Sequence, residues 1–90
     1  MNINITARNF KISEELRELI NDKLQKLHKY DSRITNIDII LLKESRAEKI
    51  ELLVSSKSKK YITKCYSSLF EKTLAKAVDN IIIQINKNKR

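Results

Sequence analysis

SEELRELINDKLQKLHKY, residues 13 to 30, decides how the rest of this 90-residue chain is arranged. Leu16, Leu19, Ile20, Leu24, Leu27 and Tyr30 recur at three- and four-residue spacing, which gathers them on one side of a helix. Ser13 stands before that run with Glu14 and Glu15 behind it, a hydroxyl cap followed by acids at the positive end of the helix dipole. At about 100° per residue, Lys23, Lys26 and Lys29 form a row along one flank of the apolar arc. Lys23 falls within the arc, so its stem lies on apolar neighbours while its ammonium reaches outward. Asp31-Ser32 ends the helix.

Upstream, Met1 to Thr6 alternates, with Ile3 and Ile5 on one face and Asn2, Asn4 and Thr6 on the other, as a strand with one wet side does. Phe10 and Ile12 are placed to tuck under the first turn of the helix. Downstream, Ile34 to Lys43 reads as a second strand, with Ile37, Ile39 and Leu41 sharing a face. KESRAE makes a turn into a third strand, Glu48 to Ser55, with Ile50, Leu52 and Val54 in phase. SSKS leads to a fourth, Lys59 to Tyr66, that turns Tyr61, Thr63 and Cys65 inward. From Leu69 the period is helical again, with Phe70, Leu74, Ala77, Val78, Ile81 and Ile85 in one stripe. The opposite face carries Lys72, Lys76 and Lys87, with Lys89 and Arg90 at its end and Ile83 in its midst.

The order β-α-β-β-β-α predicts an α+β domain over residues 1–90, a four-stranded sheet with both helices packed on one face. The other face is expected to be open, carrying Ile40, Leu42, Leu53, Ile62 and Tyr66 among polar neighbours.

A formal charge of +8 and a pI near 9.8 favour a polyanionic partner. A membrane is not expected, since no apolar run approaches spanning length. The N-terminus lacks the pattern of a signal peptide, and a single cysteine, Cys65, forms no internal disulfide, which together predict a cytoplasmic protein. Glycine and proline are both absent, so every Gly-rich nucleotide-binding loop is excluded. His28 stands alone on the polar side of the first helix, and no carboxylate pair or metal-ligand spacing accompanies it. The inventory is that of a binding protein without catalytic residues, metal or cofactor.

Lysines spaced along helices suit phosphate tracking better than base reading, because an ammonium lacks the bidentate fork of arginine. Arg8, Arg17, Arg33, Arg46 and Arg90 are scattered, although Arg33 can join the row of the first helix. If the helices lie side by side, the two lysine sets could form one continuous surface for a folded RNA recognised by shape and charge, and no DNA partner is expected. On residues alone, a general structured-RNA or double-stranded RNA-binding module and a structural ribosomal protein remain open alternatives.

The chain also resembles the short hibernation-promoting factors, in the family of ribosome-associated inhibitors and ribosomal subunit interface proteins. The resemblance runs from Met1 to about Lys89. It is carried by NIT at Asn4 to Thr6 and by ISEELRELINDKLQKLHKYDSRI from Ile12 to Ile34, where Lys23, Lys26, Leu27, Tyr30, Arg33 and Ile34 match the family pattern at identical spacing. In the second helix Asp79, Gln84 and Lys87 fit, while Asn80 and Ile83 fall where that pattern has lysine and arginine. The resemblance implies a fold related to double-stranded RNA-binding domains and docking on the small ribosomal subunit and its rRNA, in the channel for mRNA and tRNA. Translation would stop by exclusion of both. It further implies a chain without the C-terminal dimerisation domain of long family members, so that pairing of ribosomes would need a separate factor.

Overall fold

The computed structural model describes residues 1–88. Strand β1 (Asn2–Arg8) is followed by helix α1 (Glu14–Gln25), a 3-10 turn (Lys26–Lys29), strands β2 (Ile34–Glu44), β3 (Ala47–Ser56) and β4 (Lys60–Ser67), and helix α2 (Phe70–Lys87). The sheet order is β1-β2-β3-β4, with β1 parallel to β2 and the other neighbours antiparallel. Parallel pairing of consecutive strands demands a crossover, and α1 supplies it. The predicted α+β architecture is the observed one.

Strand alternation and helical phase meet in one layer. Ile37, Ile39 and Leu41 of β2 and Ile50, Leu52 and Val54 of β3 are buried beneath Ile20, Leu24 and Leu27 of the first helical segment and Leu74, Ala77, Ile81 and Ile85 of α2. Each of these valine, leucine and isoleucine side chains contributes about 1.5–3 kcal/mol by leaving water. Phe10 does not tuck under α1 alone. Its ring stacks on Phe70 of α2 at 4.8 Å between centroids, which ties the segment before α1 to the start of α2.

The elements differ from the sequence expectation at their ends. The charged stretch read as a turn between β2 and β3 is mostly strand, with Glu44 opposite Ala47 and Lys43 opposite Glu48. Ion pairs join these strand ends, Lys43 Nζ to Glu48 Oε2 at 3.8 Å and Lys49 Nζ to Glu44 Oε1 at 2.8 Å. Opposite charges facing across a ladder favour pairing, so the hairpin needs no long loop. Strand β1 runs on to Arg8, and the chain then bends at Asn9, which has a φ of 69°. In a chain without glycine, asparagine is a residue that accepts this left-handed conformation at little cost.

The start of α2 shows a cap that its own sequence lacks. Leu69 holds the N-cap position and offers no side-chain oxygen. Glu48 of β3 supplies one instead, its Oε1 accepting from the Phe70 N–H at 2.6 Å, while Thr73 Oγ1 donates to the Glu48 carbonyl at 2.8 Å. The carboxylate thus sits at the positive end of α2. Glu48→Ala is expected to cost about 1–2 kcal/mol. That loss lowers the melting temperature by about 4–8 °C per kcal/mol, and Glu48→Gln should recover part of it. Calorimetry giving the Ala variant an unchanged midpoint would remove Glu48 as the cap.

Candidate nucleic-acid interface

Helix α1 begins as its sequence directs. Ser13 Oγ accepts from the Leu16 N–H at 3.1 Å, with Glu14 and Glu15 in the first turn. Its last turn departs from expectation. The α-helix ends at Gln25, and Lys26–Lys29 continue as a 3-10 turn rather than as α-helix to Tyr30. In that tighter geometry side chains three apart eclipse, so Lys26 and Lys29 stack along the axis instead of spiralling round it. Lys23, Lys26 and Lys29 are exposed and border a shallow hollow of about 150 Å³ whose apolar surface comes from Leu27, Tyr30, Val78 and Ile82. The Lys29 ammonium lies 5.8 Å from the centroid of the Tyr30 ring, within range of its π face.

Arg33, four residues beyond Lys29, is held by a contact the sequence reading missed. Asp31, read there only as a helix breaker, is buried. Its Oδ1 accepts from the Arg33 backbone N–H at 3.0 Å and from Arg33 Nε at 3.2 Å, and its Oδ2 accepts from the Tyr61 hydroxyl at 3.5 Å. Burial alone would raise the Asp31 pKa. The hydrogen bonds and charge of Arg33, with the Tyr61 hydroxyl, outweigh burial and hold it below the usual carboxylate value. Tyr61 shifts upward, through burial and the neighbouring Asp31 charge. The Arg33 side chain stays 58% exposed, so its outer nitrogens remain open to a partner. The D-x-R spacing was the signal available in the sequence, but the carboxylate's burial depends on Tyr61, thirty residues away.

The second lysine set lies elsewhere than expected. Helix α2 turns Val78 and Ile82 toward the hollow of the first set, whereas Lys76 Nζ donates to the Tyr66 carbonyl of β4 at 3.4 Å. Lys72 and Lys87 are exposed, and helical phase puts them on the Lys76 side. The lysines therefore form two rows on either flank of α2 rather than one continuous surface. Exposed Asp79 and Asn86 make the ridge between them, and exposed Ile83 stands within the second row, between Lys76 and Lys87. Side chains packed around two helices over a sheet cannot all share one outer face, and the stripe that docks α2 fixes which flank each lysine takes. Lys89 and Arg90 lie outside the described residues.

Asn80 and Gln84 bind β4. Asn80 Nδ2 donates to Thr63 Oγ1 at 3.1 Å and contacts Cys65 Sγ at 3.3 Å, while Gln84 Nε2 donates to the Ile62 carbonyl at 2.9 Å. Edge strand β4 is thereby partly covered by α2. Asn80, which stands where the resembled pattern has lysine, acts here as a strut between helix and sheet. Cys65 is half-buried, and His28 is exposed. Among the described residues no cluster of metal-ligating side chains gathers, and no helix is long and apolar enough to cross a membrane.

Residues 3–90 match the family described as Sigma 54 modulation protein / S30EA ribosomal protein. The chain belongs to that family. Members of the Sigma 54 modulation / S30EA family are ribosomal and modulation proteins, not enzymes. A ribosomal subunit interface protein from Coxiella burnetii is similar in structure, with a TM-score of 0.90 and 25% identity over 97% of this chain and 96% of that one. The N-terminal domain of Thermus thermophilus Protein Y superposes with a TM-score of 0.89 over 99% of this chain and 100% of that one, and at 20% identity it speaks for the fold alone. No curated protein matches the chain.

Proposed function

We propose that this protein is a ribosome hibernation factor that docks in the cytoplasm on the small ribosomal subunit, at the decoding region and mRNA channel. The observation that carries this reading is the hollow edged by Lys23, Lys26 and Lys29, beside a tethered Arg33, in a chain of the S30EA family. Ammonium groups around an apolar floor fit ribose and phosphate along folded RNA, and the second row, Lys72, Lys76 and Lys87, offers further phosphate contacts across the α2 ridge. Occupying the channel excludes mRNA and tRNA, so the ribosome is idled without any chemical step.

Sedimentation of the purified protein with empty small subunits tests this reading. Binding is expected, with displacement by excess mRNA and tRNA. With about six phosphates contacted, log K should fall against log salt with a slope of about −4 to −5. A slope near zero, or binding indifferent to both competitors, rules the mechanism out.

Ile83 gives a finer test. It is 52% exposed within the second lysine row, between Lys76 and Lys87, so Ile83→Arg should change stability by about 0.5 kcal/mol or less. If phosphate lies opposite, the added charge tightens ribosome binding and steepens the salt slope by about 0.9. Weaker binding at every salt concentration would instead mean that Ile83 packs on an apolar surface, and this part of the second row would not face phosphate.

A further inference from the structure

We propose that the open face of the sheet, opposite the helices, is a second RNA site that takes one or two unpaired nucleotides, with a base stacked on Tyr66. The register places Arg8, Leu42, Lys49 and Tyr66 side by side in one cross-strand row. All of them turn away from the core, because their strand neighbours Leu41, Ile50 and Cys65 point into it or toward it. With Ile40 and Lys64 of the adjacent row they border a hollow of about 390 Å³.

Three features of this hollow fit a nucleotide. Tyr66 is 68% exposed and stands at the end of the row with Lys49 as its cross-strand neighbour and Lys64 two residues before it. A flat π face of that kind stacks on any base. Arg8, Lys49 and Lys64 bring three cations against one carboxylate in the hollow, Glu51, which is the cross-strand partner of Lys64. Among the described residues neither Arg8 nor Lys64 has a carboxylate within ion-pair distance. Lys49 does pair with Glu44, but both side chains are 46% exposed, and a phosphate competes readily with so wet a pair.

Size separates RNA from protein as the occupant. Four strands about 4.8 Å apart, with outward residues about 6.8 Å apart along each, give about 33 Å² per outward residue and roughly 600 Å² for the whole face. Stable protein complexes bury about 800 Å² per partner, so this face is too small for a protein or a second copy of the chain to hold by itself. It is ample for a base and its flanking phosphates. The proposal stands apart from the helical surface and does not require it.

The test is a titration of the isotopically labelled full chain with single-stranded hexamers, oligo(U) and oligo(A), followed by amide NMR shifts and by anisotropy of labelled RNA. Shifts are expected at residues 8, 40–42, 49 and 64–66. Tyr66→Ala should weaken hexamer binding about 10-fold, whereas Tyr66→Phe, which keeps the ring, should stay within about 2-fold. Shifts confined to residues 23–30 and 78–82, equal binding by the Ala variant, or no binding at millimolar hexamer would overturn the proposal. On the ribosome, p-benzoylphenylalanine placed at position 66 should cross-link to rRNA, and adducts with ribosomal protein alone would also overturn it. Loss of ribosome binding with an intact hexamer titration would count against the proposed function and leave the sheet site standing.

Discussion

Ribosome binding is expected to fall by roughly 100-fold or more when Lys23 and Lys26 are both replaced by glutamate, with no loss of fold. Both side chains are exposed, while the apolar positions of the same segment, Ile20, Leu24 and Leu27, carry its share of the core. Charge reversal therefore leaves packing untouched. It sets two carboxylates beside Lys29, at the rim where the proposal places phosphate. Like charges then repel the partner where opposite charges attracted it, and long-range steering is lost with the contact. Circular dichroism should match the parent, and translation inhibition in a cell-free system should vanish. A double variant that inhibits as well as the parent would show that the α1 rim is not the binding face.

Asp31→Ala should have the largest effect on stability of any single polar substitution, about 2–3 kcal/mol. Removing the carboxylate strands the Tyr61 hydroxyl, whose residue is only 2% exposed, and frees Arg33 from both of its tethers. The contribution is also pH-dependent. Because the folded pKa of Asp31 lies below its unfolded value, the stabilisation is full above the unfolded pKa and is lost as pH falls through the folded one. The gap between parent and variant in urea midpoint should thus be wide at neutral pH and begin to narrow only below about pH 4, as the folded carboxylate takes up its proton. Tyr61 acts in the alkaline range with the opposite sense. Its raised pKa favours the neutral phenol, so its contribution is present below about pH 10 and is lost as pH rises through the folded pKa. Equal midpoints for parent and Asp31→Ala at neutral pH would reduce the Asp31 contacts to a surface detail. Ribosome affinity of the same variant should drop modestly, since Arg33 remains present but no longer positioned.

Much of the fold was legible in the residues because local period and burial agree. The alternation of Ile37, Ile39 and Leu41, of Ile50, Leu52 and Val54, and of Tyr61 and Thr63 assigns each an inward face, and all are buried. The stripe from Phe70 to Ile85 and the cap at Ser13 likewise correspond to what is observed. Strand ends were less legible. Lys43, Glu44 and Glu48 fall in a stretch that looks like a turn by composition, and only pairing across the hairpin shows that these charges, with Lys49, hold strands together. The change from α-helix to 3-10 turn at Lys26 also has no marker in the residue types, since KLHK suits either winding.

What the sequence determined unaided is therefore the β-α-β-β-β-α order, the identity of the core, the basic character of both helices and the absence of catalytic chemistry among its motifs. These follow from spacing, and spacing is a property of the chain alone. Tertiary structure alone decided the rest: that Glu48 caps a helix starting 22 residues later, that Asp31 is buried under Tyr61, and that Lys76 of α2 reaches β4 while Val78 and Ile82 meet the row on α1. Each of these depends on which side chains meet across the sheet-helix layer. That meeting is set by how the apolar stripes of both helices share one sheet face, and the polar residues take whichever flank this packing leaves them.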